Sequence, residues 1–487
     1  MKITSIIGAF CMVLLPFLLS GQKIIKAKKL KKDFDKLITK IEAHPDPYRN
    51  LPEEAYHKRA DSLRATIKDM DAVSFYKLCA PLIHEIGDGH TSLHMPSILM
   101  KRQMKELGAF PYEIYISDAS KMFVIKNYSE EETIPLGSEI LSINGLSIPE
   151  FLEAIDPYTY YETKPFRNFT VEDRIQECLH LQFGDFTALD IIYHSDAEHQ
   201  ATVKNILYKT YEDAKDDQKE RVESLIKRGE PYEYEKIKDG IGILKIHSFA
   251  ISDQFKFEGF LRRTFKKINK DEIHSLILDV RGNLGGFPRA SKFLYHYITD
   301  VPFKLMAISS MKISDPYRRY YKTAFPHVNF NALTFNRTGY DIDLYTLFNG
   351  ELGTLSTEVN ENNEIAETQD HEFKGDLYLL TDRKSFSAAS SFAATFRCYG
   401  LGVIVGEPTG GTKTFFGNSA YFSLTHSNLS LSVGTAKNYT TCFTEDENEA
   451  IIPDIEVRQS VVDRVNNSDQ TLFYTLRLIK KMRANEK

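Results

Sequence analysis

Cysteine is scarce in this sequence. The 487 residues hold five, and outside the N-terminal apolar run these are Cys79, Cys178, Cys398 and Cys442, widely separated and without a CxxC pair. That spacing excludes zinc-ribbon and dithiol redox designs, leaves buried thiols or an occasional bridge as their role, and gives no reason to expect a metal or cofactor. A basic stripe is missing too. Lys and Arg number 61 against 67 Asp and Glu, a net charge of −6, and the cations are scattered among acids. Nucleic acid is therefore not an expected partner, because phosphate neutralisation needs clustered positive charge. Long apolar runs are absent except at Ile6 to Leu19, preceded by Lys2 and followed by Ser20-Gly21. That run falls short of the roughly 20 residues of a bilayer span and has the layout of a secretory signal peptide over residues 1–21. The expectation is an exported protein, periplasmic or extracellular, with no membrane span after cleavage.

What is present is an ordinary globular composition, 42% hydrophobic and 26% charged, with apolar material for two or three cores. From 22 to 107 the apolar positions recur with helical spacing: Phe34, Leu37, Ile38 and Ile41, then Phe75, Leu78, Cys79, Leu82 and Ile86. This helical region ends at Gly87-Asp88-Gly89-His90-Thr91. Residues 108–210 read instead as short strands, Tyr112 to Ile116, Met122 to Ile125, Glu139 to Ile143 and Ala188 to Tyr193. Within them, Gly137-Ser138-Glu139-Ile140-Leu141-Ser142-Ile143-Asn144-Gly145 resembles the core strand of a PDZ domain, which would offer a sheet edge to an extended peptide. A purely structural β domain is the other reading. The charged stretch 211–239 reads as an exposed helix and linker. From 240 to 460 strands and helices alternate, implying a mostly parallel or mixed sheet flanked by helices. Residues 300–372 read as a polar, irregular insertion and a candidate lid, and 461–487 as a terminal helix.

Three turns carry candidate chemistry. Leu278-Asp279-Val280-Arg281-Gly282-Asn283-Leu284-Gly285-Gly286 runs from a strand through glycines toward a helix, so backbone N–H groups can approach a ligand closely. The spacing is neither GxGxxG nor a phosphate loop. Thr381-Asp382-Arg383-Lys384-Ser385-Phe386-Ser387-Ala388-Ala389-Ser390 is again strand, turn and helix start. Ser387 is either a helix cap or a nucleophile, with the N–H of Ala388 joining one from Gly285 or Gly286 as an oxyanion hole. Among fourteen histidines, His90 stands out for its glycine-flanked loop, and a serine hydroxyl needs such a base. Asp88 reads equally well as a cap or a turn former.

The ordered set of these segments, with Ile241-Gly-Ile-Leu-Lys-Ile, Gly406-Glu407-Pro408-Thr409-Gly410-Gly411 and Pro453-Asp454-Ile455-Glu456-Val457, resembles the tail-specific (C-terminal processing) serine peptidases of family S41. The likeness extends over roughly 85–460. It implies a multidomain α/β fold: a crotonase-like core, an N-terminal helical domain and an inserted PDZ-like β domain. It also implies Ser387 as nucleophile. One branch of the family uses a lysine after the Gly-Glu-Pro-Thr run, but its position here is Thr412, with Lys413 one residue late. The tricorn and IRBP-like branch uses a histidine from the loop before the PDZ-like region, here His90, so His90 is the expected base and Lys413 the alternative. That branch also has a serine before the histidine and a late glutamate. Gly89 replaces the serine, and Glu445 is the expected acid, with Glu447 and Glu449 on the same acidic stretch.

The expected function is hydrolysis of peptide bonds, in polypeptide tails or peptides, by Ser387 and His90 without a metal. Two alternatives stay open. One is a non-catalytic peptide- or lipid-binding protein on the same fold, which the departures at Gly89 and Thr412 keep alive. The other is hydrolysis of a non-peptide ester or amide by the same oxyanion hole.

Overall fold

The computed structural model describes residues 23–485, apart from 215–216, 327–328, 331–343, 360–369 and 444–447. Its centre is a six-stranded sheet in the spatial order Ile455–Glu456, Val403–Gly406, Asp376–Thr381, Ser275–Asp279, Ile241–Ile246, Tyr232–Lys236. All neighbours pair in parallel except the last, which runs antiparallel at the edge. Runs such as Ser275–Asp279 are buried throughout, with the apolar Leu276, Ile277 and Leu278 at their centre, because both faces are covered. Leu276 and Leu278 face one core with the helices Gln254–Lys270, Pro288–Ile298 and Ala388–Cys398. Ile277, Tyr378 and Leu380 face the other, closed by Leu472, Leu476 and Ile479 of the helix Gln470–Asn485. Parallel strands deliver all their carboxyl ends to one edge, so the turns after Asp279, Thr381 and Gly406 converge there.

Two expectations are corrected. The charged stretch 211–239 is more than helix and linker. After the helices Tyr208–Asp213 and Asp217–Lys227 comes Tyr232–Lys236, an edge strand of the central sheet that exposes its charges and buries Tyr232. The polar segment 300–372 is not irregular over its described residues. Met306–Lys312 is an inner strand of a four-stranded sheet, pairing antiparallel with Ala436–Thr440 and with Leu355–Val359. The helices Asp315–Ala324 and Leu344–Asn349 send Tyr317 and Leu347 into the core built by the N-terminal helices. Its polarity reflects strand positions that stay half exposed, with Met306 and Met311 turned inward.

The N-terminal helices Ala27–Ile41, Glu53–Thr66 and Ala72–His84 bury most of the stripes read from the sequence, Phe34, Leu37 and Ile41 on the first and Phe75, Cys79 and Leu82 on the third, while Ile38 and Leu78 stay partly exposed and Leu30 joins the core. They are tied to the remainder through Ser92–His94, which pairs antiparallel with Ser430–Val433. The middle of the chain forms an antiparallel sheet from Tyr112–Ile116, Met122–Asn127, Glu139–Ile143, Ala188–His194 and Glu198–Lys204, with Ile148–Ile155 and Ile175–Phe183 packed on it. Cys398 and Cys442 form a disulfide, and Cys79 and Cys178 are buried thiols. Leu347 is fully buried, so Leu347→Ala should lower unfolding free energy in urea by about 2–5 kcal/mol; a loss within error of zero would show that the 306–359 segment is peripheral to the core.

Candidate active site

Ser387 sits between the strand Asp376–Thr381 and the helix Ala388–Cys398 with φ 54° and ψ −120°, a left-handed conformation rare for a residue with a Cβ. The turn is pinned from several directions. The Ser385 hydroxyl donates to Val280 O (2.9 Å) and accepts the Asp382 N–H (3.1 Å). Phe386 N–H donates to Asn283 O (3.0 Å), and Gly410 N–H to Ser385 O (3.0 Å). Asp382 Oδ1 accepts the Gly282 N–H (3.0 Å). The Ser387 hydroxyl makes no cap bond to its own helix. It is the Ser387 carbonyl that is occupied, by the hydroxyls of Ser390 (2.8 Å) and Ser391 (3.2 Å). Of the two readings open in the sequence, the side-chain cap is not made.

Gly285 and Gly286 lie against this turn. A Cβ on Gly285 would fall 2.7 Å from Ser387 Cβ, and one on Gly286 2.0 Å from Ala250 N, so neither position admits a side chain. The Gly285 N–H is already donated to Asn283 Oδ1 (2.8 Å). Among the described residues the N–H groups of Gly286 and Ala388 donate to nothing in the chain, and Ala388 opens a helix, where negative charge is favoured.

His90 is reached from the opposite side. Phe386, the residue before Ser387, stacks on its ring with centroids 4.6 Å apart, while Phe386 itself stacks on Phe166 at 4.2 Å. His90 Nδ1 donates to Glu162 Oε1 (3.1 Å), with Asp88 Oδ1 farther away at 3.7 Å. Asp88 Oδ1 accepts the His90 backbone N–H (2.8 Å), and its Oδ2 faces His44 Nε2 (3.3 Å). His44 Nδ1 accepts the Asp46 N–H (3.1 Å), so the proton of a neutral His44 is on Nε2, toward Asp88. Burial pulls the His90 pKa down, but the hydrogen bonds and charges of Asp88 and Glu162 outweigh it and raise it to about 9. Burial alone would raise Asp88; its bonds to His44 and His90 hold it far below the usual carboxylate range. Glu162 is pushed up by burial, only partly offset by His90. Among the described residues His90 Nε2 is buried without a partner, and no hydrogen bond joins it to Ser387.

Glu162 escaped the sequence analysis. It precedes the helix Lys164–Asp173 in a tyrosine-rich segment with no local signal of chemistry. Its Oε2 accepts the Thr412 N–H (3.1 Å) and contacts the Thr412 hydroxyl (3.2 Å). Lys413 turns elsewhere: its Nζ pairs with Glu449 Oε2 (3.2 Å) and lies over the Phe443 ring. Glu445 and Glu447 are outside the described residues. One ligating atom each from Asp88, His90 and Glu162 lies within 4.8 Å of the others, a group able to hold a metal ion. Since every carboxylate oxygen in it already accepts from or faces a donor of the chain, a hydrogen-bond relay accounts for the cluster. A cavity of about 290 Å³ adjoins it, lined by Asp88, Glu162, Tyr76, His84 and Tyr160 among others.

No curated protein is significantly similar to the chain in sequence. Among solved structures, mature CPAF complexed with lactacystin is similar at 14% identity over 94% of this chain and 98% of that chain, with a TM-score of 0.60. Mature CPAF alone is similar at 14% identity over 90% and 94%, with a TM-score of 0.58. The photosystem II D1 C-terminal processing protease aligns at 13% identity over 89% and 94%, with a TM-score of 0.44. The fold is thus a mixed α/β, multidomain one shared with CPAF. Residues 240–457, which hold the parallel sheet and the turn of Ser387, match the family model described as Peptidase family S41.

Proposed function

We propose that the chain is an exported serine peptidase that cleaves peptide bonds in polypeptides through Ser387, with His90 as base. The observation that carries the reading is Ser387 itself, a non-glycine held at positive φ whose hydroxyl makes no cap bond, inside the segment that matches the S41 peptidase model. Backbone strain of about 1–3 kcal/mol is retained where a surrounding framework over-determines it and function uses it. In the reaction the Ser387 Oγ forms a bond to the scissile carbonyl carbon while its proton passes to His90 Nε2. The oxyanion accepts from the N–H groups of Ala388 and Gly286. Collapse breaks the C–N bond, the imidazolium protonates the leaving amine, and water attacks the acyl-enzyme by the reverse proton path. Catalytic hydrogen bonds commonly close only with substrate in place, so the open Ser387 to His90 gap is compatible with this role. The crotonase-like description of the core and the PDZ-like description of the middle sheet belong to the same proposal, with an edge of that sheet receiving extended substrate. Leu284 and Phe287, each about half exposed beside the glycine pair, add apolar surface for substrate side chains.

A second reading, a peptide- or lipid-binding protein without catalysis, is favoured by the same gap and by an imidazole kept protonated. Labelling with a fluorophosphonate separates the two. Ser387→Ala should abolish labelling and lower hydrolysis by on the order of 10⁴-fold or more, with the fold intact by circular dichroism; full activity in that variant would overturn the assignment, and no labelling of folded wild type would favour the binder. His90 must lose its proton to act as base, and its raised pKa keeps it protonated at neutral pH. The labelling rate should therefore climb as pH rises toward about 9. A rate already at its plateau at pH 7 would contradict that protonation state. Gly285→Ala, forced against Ser387 Cβ, should lose labelling even though no charged or nucleophilic group changes.

A further inference from the structure

We propose that Glu162 is the positioning residue for His90, and that Thr412 in turn positions Glu162. The inference rests on the Ser387 and His90 reading above and deepens it by naming the acid of the relay. A base that uses Nε2 must keep its proton on Nδ1 and its ring fixed, and Glu162 Oε1 meets Nδ1 at 3.1 Å. Among the described residues Asp88 is the only other carboxylate paired with the ring, and its oxygens are engaged by the His90 backbone N–H and by His44. Asp88 thus holds the loop while Glu162 holds the imidazole. The remaining ring faces meet Phe386 and Phe415, which carry no charge. The Glu162 side chain is only 6% exposed, and a buried carboxylate is costly unless its partners use it.

Two features of the sequence that stood apart as departures from the family pattern now share one explanation. At Gly89 a Cβ would come within 3.3 Å of Glu162 Cγ and 2.8 Å of Phe386 Cζ, so a serine there would crowd the path Glu162 takes to His90. Thr412 gives Glu162 Oε2 its backbone N–H and has its own hydroxyl anchored on Thr414 O (2.5 Å). A residue with no hydroxyl at 412 loses that anchor. Gly89 clears the space and Thr412 fixes the far oxygen.

The test combines fluorophosphonate labelling rates across pH with a histidine-ring NMR titration of His90 in the full chain, for wild type, Glu162→Gln and Thr412→Val. Removing the Glu162 charge should lower the His90 pKa, move the midpoint of the rate profile to lower pH by the same amount, and reduce the plateau by about tenfold or more. Thr412→Val should shift both midpoints in the same direction by less. A folded Glu162→Gln protein whose midpoint and plateau stay within twofold of wild type would reduce Glu162 to a structural contact and overturn the proposal. If Glu162→Gln does not fold, Thr412→Val, which retains the carboxylate and the backbone N–H, carries the same decision. The NMR readout separates the two readings. Wild type that fails to label removes the serine peptidase assignment, and the His90 titration still reports whether Glu162 governs the ring; an unchanged His90 pKa in the variants refutes the positioning role even where labelling succeeds.

Discussion

A serine held at φ 54° and ψ −120° relaxes unless the chain on both sides is clamped, and much of this molecule is arranged as that clamp. Val280 and Asn283 from one turn, Gly410 from another and the Ser385 hydroxyl within the same turn fix the backbone before Ser387, and the helix that starts at Ala388 fixes it after. Each of these contacts exists because parallel strands bring the turns after Asp279, Thr381 and Gly406 to one edge. The central sheet is buried on both faces by Leu276 and Leu278 on one side and Ile277 and Leu380 on the other, so strain at its edge is opposed by the cohesion of two cores. The glycine pair follows from the same crowding: backbone from 249–250 and from 386–388 fills the space where side chains would stand.

The residue before Ser387 joins otherwise separate parts of the chain. Phe386 lies between Phe166, from a helix inserted between strands of the middle sheet, and His90, from the loop after the N-terminal helices. Arg383, three residues earlier, pairs with Glu172, donates to Ile116 O and lies over Tyr115. Thr163 donates to Gly410 O at 3.0 Å. The turn of Ser387 therefore packs directly on both preceding regions, and a displacement of the 158–172 segment would act on Glu162 and Phe386 together. The stacking of Phe386 on His90 and on Phe166 and one buried Arg–Glu pair give that junction defined geometry as well as adhesion.

Much of this was legible residue by residue. The stripe of Phe34, Leu37 and Ile41, the strands Tyr112–Ile116 and Glu139–Ile143, and the buried run at 275–279 all form where periodicity placed them, because burial of one face is imposed within a few residues of chain. The segments read as linker and insertion were misjudged for a shared reason. Tyr232–Lys236, an edge strand paired with the adjacent Ile241–Ile246, and Met306–Lys312, whose partners lie far along the chain, both have half-exposed faces that tolerate charge and hydroxyls, so composition resembled loop while ladder bonds made strand. Ser387, Gly285, Gly286 and His90 were visible as turn chemistry, yet the state of each group was not. That the Gly285 N–H is spent on Asn283, or that the Ser387 hydroxyl caps nothing, depends on atoms contributed by the surrounding turns.

What the amino-acid sequence determined by itself is local: helix stripes, strand alternation, glycine turns and the order of motifs, since these depend on interactions within a single element or its flanking turns. Only the tertiary structure decided which acid meets the histidine. Glu162 and His90 are 72 residues apart, and Glu162 and Thr412 are 250 apart. Their approach follows from three packed regions docking face to face, and no periodicity or turn signal near any one of them encodes where the others will be.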